Sequence, residues 1–437
     1  MTDKVIIGVI AIAVMLVLLF MGQTIGAAMI TVAAVGMLCF LPTKAAFSKL
    51  GTTPFETFTS YTYCVIPLFL LMANIVATTG LGADLFEFFH KTVGRFRGGL
   101  AIASVLACAL FAAISSSTVA TALTIGMIAL PQMKRLKYSE ELRTGAVAAG
   151  GTLGIMIPPS GTLIIYGLMA SVSISKLFIG VIIPGIILAG LMSVAVIIWC
   201  RKNPNAGPSG EKYSKKECLK AFLKCIDFFV LIIIVLGGLF AGFFTPTEAS
   251  GVGVVGAVII TAIRKKLTMK NFKEAIIGTV RNSGGVFLIL MGAQVLNYFI
   301  AMSGVPTALA NLVINANLSK IMIVAFMAVI YFVLGCFLDS MAMILLTLPV
   351  FNPIIVAVGI DPLWFGVIVT ICVGIANVSP PVGINSYVTK GISDGVPLSK
   401  VFKGVLPFIA AQLASLVLLM IFPQLATWLP SLIGGGG

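Results

Sequence analysis

Two short stretches of this 437-residue chain set polar side chains in the middle of apolar sequence. In "AAISSSTVATAL" (112–123) the hydroxyls of Ser115, Ser116, Ser117 and Thr118 follow one another. In "LGCFLDSMAM" (334–343) Asp339 and Ser340 take their place, and Gly335 permits a turn. Residues of these types belong where one helix ends and another begins. Hydroxyls and carboxylates cap helix starts, whose free N–H groups carry about half a positive charge and suit an anion. The carbonyls at the end of the preceding helix suit a cation. A turn of this kind can therefore hold an ion on one side and face a carboxylate on the other.

Two further stretches break helices by a different means. "GGTLGIMIPPSG" (150–161) and "GIANVSPPVG" (374–383) each carry a double proline among small residues. A proline lacks the N–H that would bond the carbonyl four residues earlier, so Pro158 and Pro159 free the carbonyls of Gly154 and Ile155. Pro380 and Pro381 do the same to Ala376 and Asn377. In hydrocarbon each freed carbonyl costs several kcal/mol unless it is taken up, and a dehydrated cation can do that. The polar stretches are tolerated because they line a site.

Other chemistries lack their residues. The single histidine, His90, falls in an expected loop, and of fourteen acids only Asp339 lies well inside an apolar region, with Asp227 and Glu248 nearest to exceptions. A proton relay needs a chain of buried ionisable groups, so sodium on backbone oxygens is the better coupling ion. General acid-base catalysis is equally short of groups, which argues against a membrane enzyme. No GxxxxGK[ST] phosphate loop occurs, which argues against ATP as the driver. The eight cysteines are scattered without metal spacing and read as packing residues.

The elements that position these stretches follow from composition. The chain is 59% hydrophobic and 10% charged, with a mean hydropathy of +1.14, so it is an integral membrane protein. About ten apolar runs have the length of a helical crossing: 4–20, 24–40, 59–79, 144–170, 177–199, 226–244, 249–263, 275–302, 361–390 and 404–430. The stretches 98–131 and 320–354 are longer and broken in the middle. No strand-like alternation appears, so the fold class is an all-α polytopic bundle. "TPTEAS" (245–250) reads as a helix start capped by Thr245 or Thr247, and the terminal "GGGG" carries no signal.

The net charge of +14 gathers in loops, mainly 201–225 and 264–275, where it reads as a cytoplasmic orientation signal and not as a nucleic-acid surface. The basic segment 201–225 is expected to be a solvated arm lying on anionic membrane lipid.

At an offset of 222 residues the chain matches itself without gaps. Pro131 falls on Pro353, Pro158 and Pro159 on Pro380 and Pro381, Gly161 on Gly383, and Ser117 and Thr118 on Asp339 and Ser340. After an insertion of two, "SKLFIG" (175–180) lies over "SKVFKG" (399–404). Lys91, Arg95, Arg97, Lys134, Arg135, Lys137 and Arg143 bracket the first broken stretch, so both its ends should be cytoplasmic and it should be a re-entrant hairpin. The second broken stretch has only Lys320 before it and Asp361 after it, which suits the opposite side. The expected fold is an inverted repeat, about 59–200 and 275–430, with two re-entrant hairpins, two broken helices and both chain ends outside. Secondary transporters are built this way, with substrate and ions near the midplane. A channel or scaffold is the competing use of such a bundle.

"GGTLGIMIPPSG", "GIANVSPPVGINSYV", "FFTPTEASGVG" (243–253) and "AAISSSTVAT" together resemble the large membrane subunit of tripartite ATP-independent periplasmic (TRAP) transporters, of DctM-like or sialic-acid type, over nearly the whole chain. The resemblance implies an elevator fold and sodium-driven import of an organic anion, such as a C4-dicarboxylate or a sialic acid, across the bacterial inner membrane. It implies two partners, a periplasmic binding protein and a small four-helix membrane subunit, the latter expected as a separate polypeptide because no such segment precedes residue 1. Two or more Na+ ions are implied. The first would use Ser115 and Ser117 with backbone at Gly154, Ile157 and Pro159. The second would use Gly335, the region of Asp339 and the backbone at Ala376, Ser379 and Pro381. Substrate would lie between the turns, near Ser116, Thr118, Thr152, Ser340 and Asn377. A stand-alone sodium/carboxylate symporter is the alternative.

Overall fold

The structure, a computed structural model, describes residues 3–433, so the terminal "GGGG" lies outside the described residues. The chain begins with α1 (Asp3–Phe20), α2 (Ile25–Leu38), α3 (Thr43–Thr59), α4 (Val65–Ala77) and α5 (Leu81–Val93). The first hairpin is α6 (Gly99–Ser115) and α7 (Thr118–Arg135). The first broken helix comprises α8 (Glu140–Gly151), α9 (Leu153–Met156) and α10 (Gly161–Ala170), followed by α11 (Ile174–Gly180) and α12 (Ile182–Lys202). A middle section holds α13 (Lys215–Lys224), α14 (Ile226–Ile232), a π-helical segment (Ile233–Gly237), α15 (Gly238–Phe240), α16 (Pro246–Ile263), α17 (Met269–Ser303) and α18 (Val305–Asn315). The second hairpin is α19 (Lys320–Gly335) and α20 (Ser340–Ala357), the second broken helix α21 (Pro362–Ala376) and α22 (Ile384–Gly391), and α23 (Leu398–Ile421) and α24 (Gln424–Ile433) close the chain.

Among the described residues seven helices are long and apolar enough to cross a membrane, nine if each bent pair counts as one span. Side chains such as Ile10, Val17, Ile186 and Phe326 are exposed on outer faces, as lipid contact requires. The run 361–390 is not one crossing: the double proline divides it into α21 and α22. The same device divides 144–170.

The repeat is visible in the elements themselves. Helix α7 and helix α20 begin and end at positions exactly one repeat offset apart, as do the starts of α8 and α21. Contacts are exchanged reciprocally: α10 packs on α20 and α21, while α22 packs on α7 and α8. Such an exchange is what a two-fold relation between copies produces. Ion pairs give the direction. Lys134 meets Asp394 at 3.0 Å and Lys400 meets Glu140 at 2.8 Å, so the start of the first broken helix adjoins the end of the second. At the other pole the Tyr166 hydroxyl donates to the Pro362 carbonyl at 2.6 Å, joining the end of the first to the start of the second. The copies therefore run antiparallel.

Helices α6, α8 and α9 pack with α12, and α8, α21 and α22 with α23; α20 packs on α17 and α18, α2 lies on α17, and α4 lies on α16 and α17. Three local outcomes differ from the sequence reading. Helix α3 forms in a stretch with no span signal: Lys44, Lys49 and Glu56 give it a polar character, and Phe47, Phe55 and Phe58 are exposed beside them. Its apolar faces suit a helix lying along a membrane interface. His90 lies on α5 and not in a loop. The segment 201–225 is not a free arm. Gly207 accepts from Gly98 N–H at 2.8 Å, Ala206 from Ser139 N–H at 2.9 Å, and the Tyr138 hydroxyl donates to Pro208 at 2.9 Å, which ties the segment to the bases of α6 and α8. Its second part is α13, started by a Ser214–Glu217 capping box. Thr245 and Glu248 form the corresponding box at the head of α16, so the cap in "TPTEAS" is Thr245.

Candidate functional site

Each hairpin ends in a turn whose last residue caps the next helix. At the first tip Ser116 turns the chain with φ +51°, and the Ser117 side chain accepts from Ala120 N–H at 3.3 Å. Ser115 Oγ lies 2.5 Å from Thr121 Oγ1. At the second tip Asp339 caps α20, accepting from Ala342 N–H at 2.7 Å. A carboxylate and a hydroxyl thus do the same local work one repeat apart.

Each tip rests on the break of its own copy. The Ser116 hydroxyl donates to the Pro159 carbonyl at 2.7 Å, and the Cys336 thiol to the Pro380 carbonyl at 3.4 Å. Gly154 lies against the first tip so closely that a methyl there would stand 2.7 Å from the Ser117 carbonyl oxygen and 3.1 Å from Thr118 Cα. Gly335 meets Ala376 and the Met343 sulfur in the same manner. Asn377 donates to the Ser340 hydroxyl at 2.9 Å, which locks the second tip to the second break.

The freed carbonyls behave differently in the two copies. Those of Gly154 and Ile155 accept no hydrogen bond from any described residue. The sequence led us to expect the same of Ala376 and Asn377, and the structure corrects this. Asn377 accepts from Asn385 N–H at 2.9 Å, and Ala376 from Ser379 N–H at 3.2 Å. The second break curls back on itself through Gly383, whose φ of +54° turns the chain so that Asn385 returns to the broken end. The Ser379 hydroxyl is likewise occupied, donating to Ile375 at 2.7 Å.

A cavity of about 530 Å³ opens between the two tips on one side and α4 and α17 on the other. That volume suits a small organic molecule. Ser115, Ser116, Ser117, Thr118, Asp339, Ser340 and Asn377 all line it. Thr152 does not; its hydroxyl donates to Ala149 at 2.6 Å and accepts from Gln412 at 2.7 Å, inside the packed helices. None of Gly154, Ile157, Pro159, Gly335, Ala376, Ser379 and Pro381 is among the described residues that line the cavity; Gly154 and Pro159 touch the first tip, Gly335 touches Ala376, and Ile157 lies against Gly185 of α12. Among the described residues no lysine, arginine or histidine lines the cavity, and Asp339 is the only acidic side chain that does. Positive potential comes instead from the starts of α7 and α20, both directed at it by the hairpin turns.

The far wall contributes residues that sequence reasoning missed. Asn74 on α4 donates to Thr279 on α17 at 2.9 Å, and Asn74 and Asn282 both reach the cavity. Polar side chains isolated in the runs 59–79 and 275–302 were the available signal. Gln412, one turn of packing behind, was signalled in the same way within 404–430.

Comparison with known proteins bears on this arrangement. Residues 12–425 match the family described as "Tripartite ATP-independent periplasmic transporter, DctM component". The chain belongs to that family. It is 33% identical over 402 residues to the C4-dicarboxylate TRAP transporter large permease protein DctM of Pseudomonas aeruginosa, covering 92% of this chain and 93% of that one. It is 30% identical over 424 residues to the sialic acid TRAP transporter large permease protein SiaM of Vibrio cholerae, covering 96% and 97%. The isethionate TRAP transporter permease protein DctMQ of Oleidesulfovibrio alaskensis is 32% identical over 376 residues, which cover 85% of this chain and 58% of that longer one. Among solved structures, the Alcanivorax borkumensis YdaH transporter superposes with a TM-score of 0.62 at 16% identity, covering 87% and 89% of the two chains, and shares the fold. This DctM-family chain is thus a multi-pass membrane protein whose relatives are named as transporter permeases.

Proposed function

We propose that this chain imports an organic carboxylate across the bacterial inner membrane as a sodium symporter, moving its substrate by an elevator motion. The carrying observation is the cavity: hydroxyls, three amides, the Asp339 carboxylate and two helix starts converge on it, with no basic side chain among its described lining residues. A carboxylate there is held by hydrogen bonds and helix termini, and the missing positive charge is supplied by co-transported cations behind the tips. The first cation site is Ser115, Ser117 and the carbonyls of Gly154, Ile157 and Pro159. The unpaired Gly154 carbonyl beside the Ser117 backbone supports it. The second is Gly335, Asp339 and the carbonyls of Ala376, Ser379 and Pro381, with the Asp339 carboxylate as its charge and the Ala376 carbonyl, already bonded by Ser379 N–H, using its second lone pair. Ser116, Thr118, Ser340 and Asn377 face the substrate, and Thr152 acts through Gln412 on the shape of the first break.

The hairpins, the broken helices, α12 and α23 form the mobile unit; α2, α4, α16 and α17 form the fixed wall. The basic ends near Lys91 and Lys134 lie in the cytoplasm, and both chain ends lie outside. The relatives' names support delivery by a periplasmic binding protein and a small membrane subunit, and they support a C4-dicarboxylate, a sialic acid or isethionate as candidate cargo.

The test is uptake into proteoliposomes containing this chain and its small subunit, with the loaded binding protein outside, for each of those three acids. Saturable uptake driven by an inward sodium gradient and abolished when sodium is replaced by potassium is the expected result. Uptake indifferent to sodium would overturn the coupling, and conductance far above carrier turnover would make the chain a channel.

A further inference from the structure

A second polar cavity lies further along α17, between that helix and α3. It has a volume of about 410 Å³ and is walled by Lys49, Glu56 and Thr57 of α3, by Tyr63 just before α4, and by Gln294, Asn297 and Tyr298 of α17. Gln294 donates to the Tyr63 hydroxyl at 2.7 Å, and Lys49 bonds Glu56 at 2.8 Å while lying 5.7 Å from the Tyr298 ring centroid. The first cavity meets α17 at Asn282 and Val286. At about 1.5 Å per residue, Gln294 lies about 12 Å beyond Val286 along that helix. Between the two polar groups the sequence is "GVFLILMGA" (285–293), which offers no side-chain hydrogen bond.

A fixed helix with two polar patches and an apolar interval has a definite use beside a moving partner. At either end of its travel the mobile unit must present its ligand to some part of α4 and α17. A charged ligand against an apolar wall would leave polar groups bare, at a cost of several kcal/mol. Only the two polar patches avoid that cost, and the interval between them discourages a ligand from stopping midway. Met169, at the end of α10 in the hairpin and broken-helix unit, already reaches Gln294, with its sulfur 4.0 Å from Nε2. The outer cavity is thus within reach of the unit that would move.

We infer that the pocket formed by Lys49, Tyr63, Gln294 and Asn297 is a second binding station for the transported organic anion, the fixed half of the site in the outward-facing state. The amides and the Tyr63 hydroxyl accept the ligand's polar groups, and Lys49, released from Glu56, meets its carboxylate. This inference rests on the elevator reading above and adds to it a named wall on the outer side. The inner patch at Asn74 and Asn282 is its counterpart in the state described here.

The experiment compares the two directions of transport in oriented proteoliposomes, using whichever of the three acids the unaltered protein carries. Influx is measured against the concentration of loaded binding protein outside, and efflux against the concentration of acid loaded inside, with unloaded binding protein present. Gln294→Leu and Asn297→Leu are expected to raise half-saturation for influx about tenfold, the loss of a hydrogen bond to a charged ligand, and to leave half-saturation for efflux and for sodium unchanged. Asn282→Leu is expected to do the reverse. Gln294→Glu keeps the size of the side chain in an open pocket and is expected to weaken influx further, so a misfolded leucine variant does not remove the test. Equal effects on both directions, or none on influx, overturn the outer station while wild-type sodium-driven uptake stands. Absence of sodium-driven uptake in the wild type overturns the elevator reading and the station with it.

Discussion

Gly154→Ala sets two physical effects against each other. On backbone propensity alone, alanine in place of a glycine in the helix stabilises by about 0.5–1 kcal/mol. The structure predicts the opposite sign. The new methyl would stand 2.7 Å from the Ser117 carbonyl oxygen, 2.9 Å from its carbon and 3.1 Å from Thr118 Cα, and all three atoms are backbone. Restoring an ordinary contact of 3.4 Å requires the tip and the break to part by about 0.7 Å. Overpacking of this kind costs about 1–3 kcal/mol, which exceeds the propensity gain. The displacement falls between the hydroxyls of the first tip and the unpaired carbonyl of residue 154, so a cation held by both would lose part of its shell. The half-saturating sodium concentration for uptake should rise at least tenfold and the melting temperature should fall, both measured on purified, reconstituted protein. Gly190→Ala on α12, where nothing lies within 4 Å of the new methyl, is the control: it should leave the sodium curve unchanged and raise the melting temperature slightly, as propensity alone dictates. A Gly154→Ala protein that is more stable than the wild type, with an unchanged sodium curve, would refute the claim that tip and break form one site.

Asp339→Asn preserves the cap, since asparagine accepts from the Ala342 N–H equally well, and removes the charge; thermal melts should change little, while sodium titration of uptake should shift to higher concentrations. Asn377→Ala removes the bond to Ser340 that joins the second tip to the second break, and should destabilise by about 1–2 kcal/mol in denaturation with a higher half-saturation for substrate. Arg264→Gln would leave Asp84 and Asp227 without the guanidinium that joins them, as well as the Lys224 carbonyl without its donor, and should lower stability by about 1–3 kcal/mol while leaving sodium affinity intact.

Both hairpins and both breaks were legible because each is written in local chemistry. Proline removes a donor, serine and aspartate cap, and the repeat offset doubles every signal. The antiparallel relation was legible from loop charge, and the structure expresses it in ion pairs that join the start of the first broken helix to the end of the second, Lys134–Asp394 and Lys400–Glu140, of which only Lys134 entered that reading. What stayed hidden depends on distant neighbours. Nothing in "GIANVSPPVGINSYV" announces that Asn385 will satisfy the carbonyl of Asn377, because that bond exists only once Gly383 has reversed the chain. The family resemblance put Thr152 beside the substrate, but Gln412, remote in sequence, bonds it within the packed interior. Helix α3 was missed since its lysines, threonines and Pro54 read as a connecting segment when burial on a neighbour is unknown. Asn74 and Asn282 are single polar residues in long apolar runs, where periodicity does not say which face meets the site.

The reciprocal exchange of α10 and α22 also governs how the molecule is made. A ribosome that has delivered the chain as far as α12 has released one broken helix whose packing partners, α20 and α21, are still untranslated. Until they arrive, the face of α10 that packs on them must be sheltered by lipid, by water near the bilayer surface or by the insertion machinery, and an isolated amino-terminal half should be cleared by proteases. Biogenesis of this protein therefore ends in a single late closure, in which two half-built units complete each other.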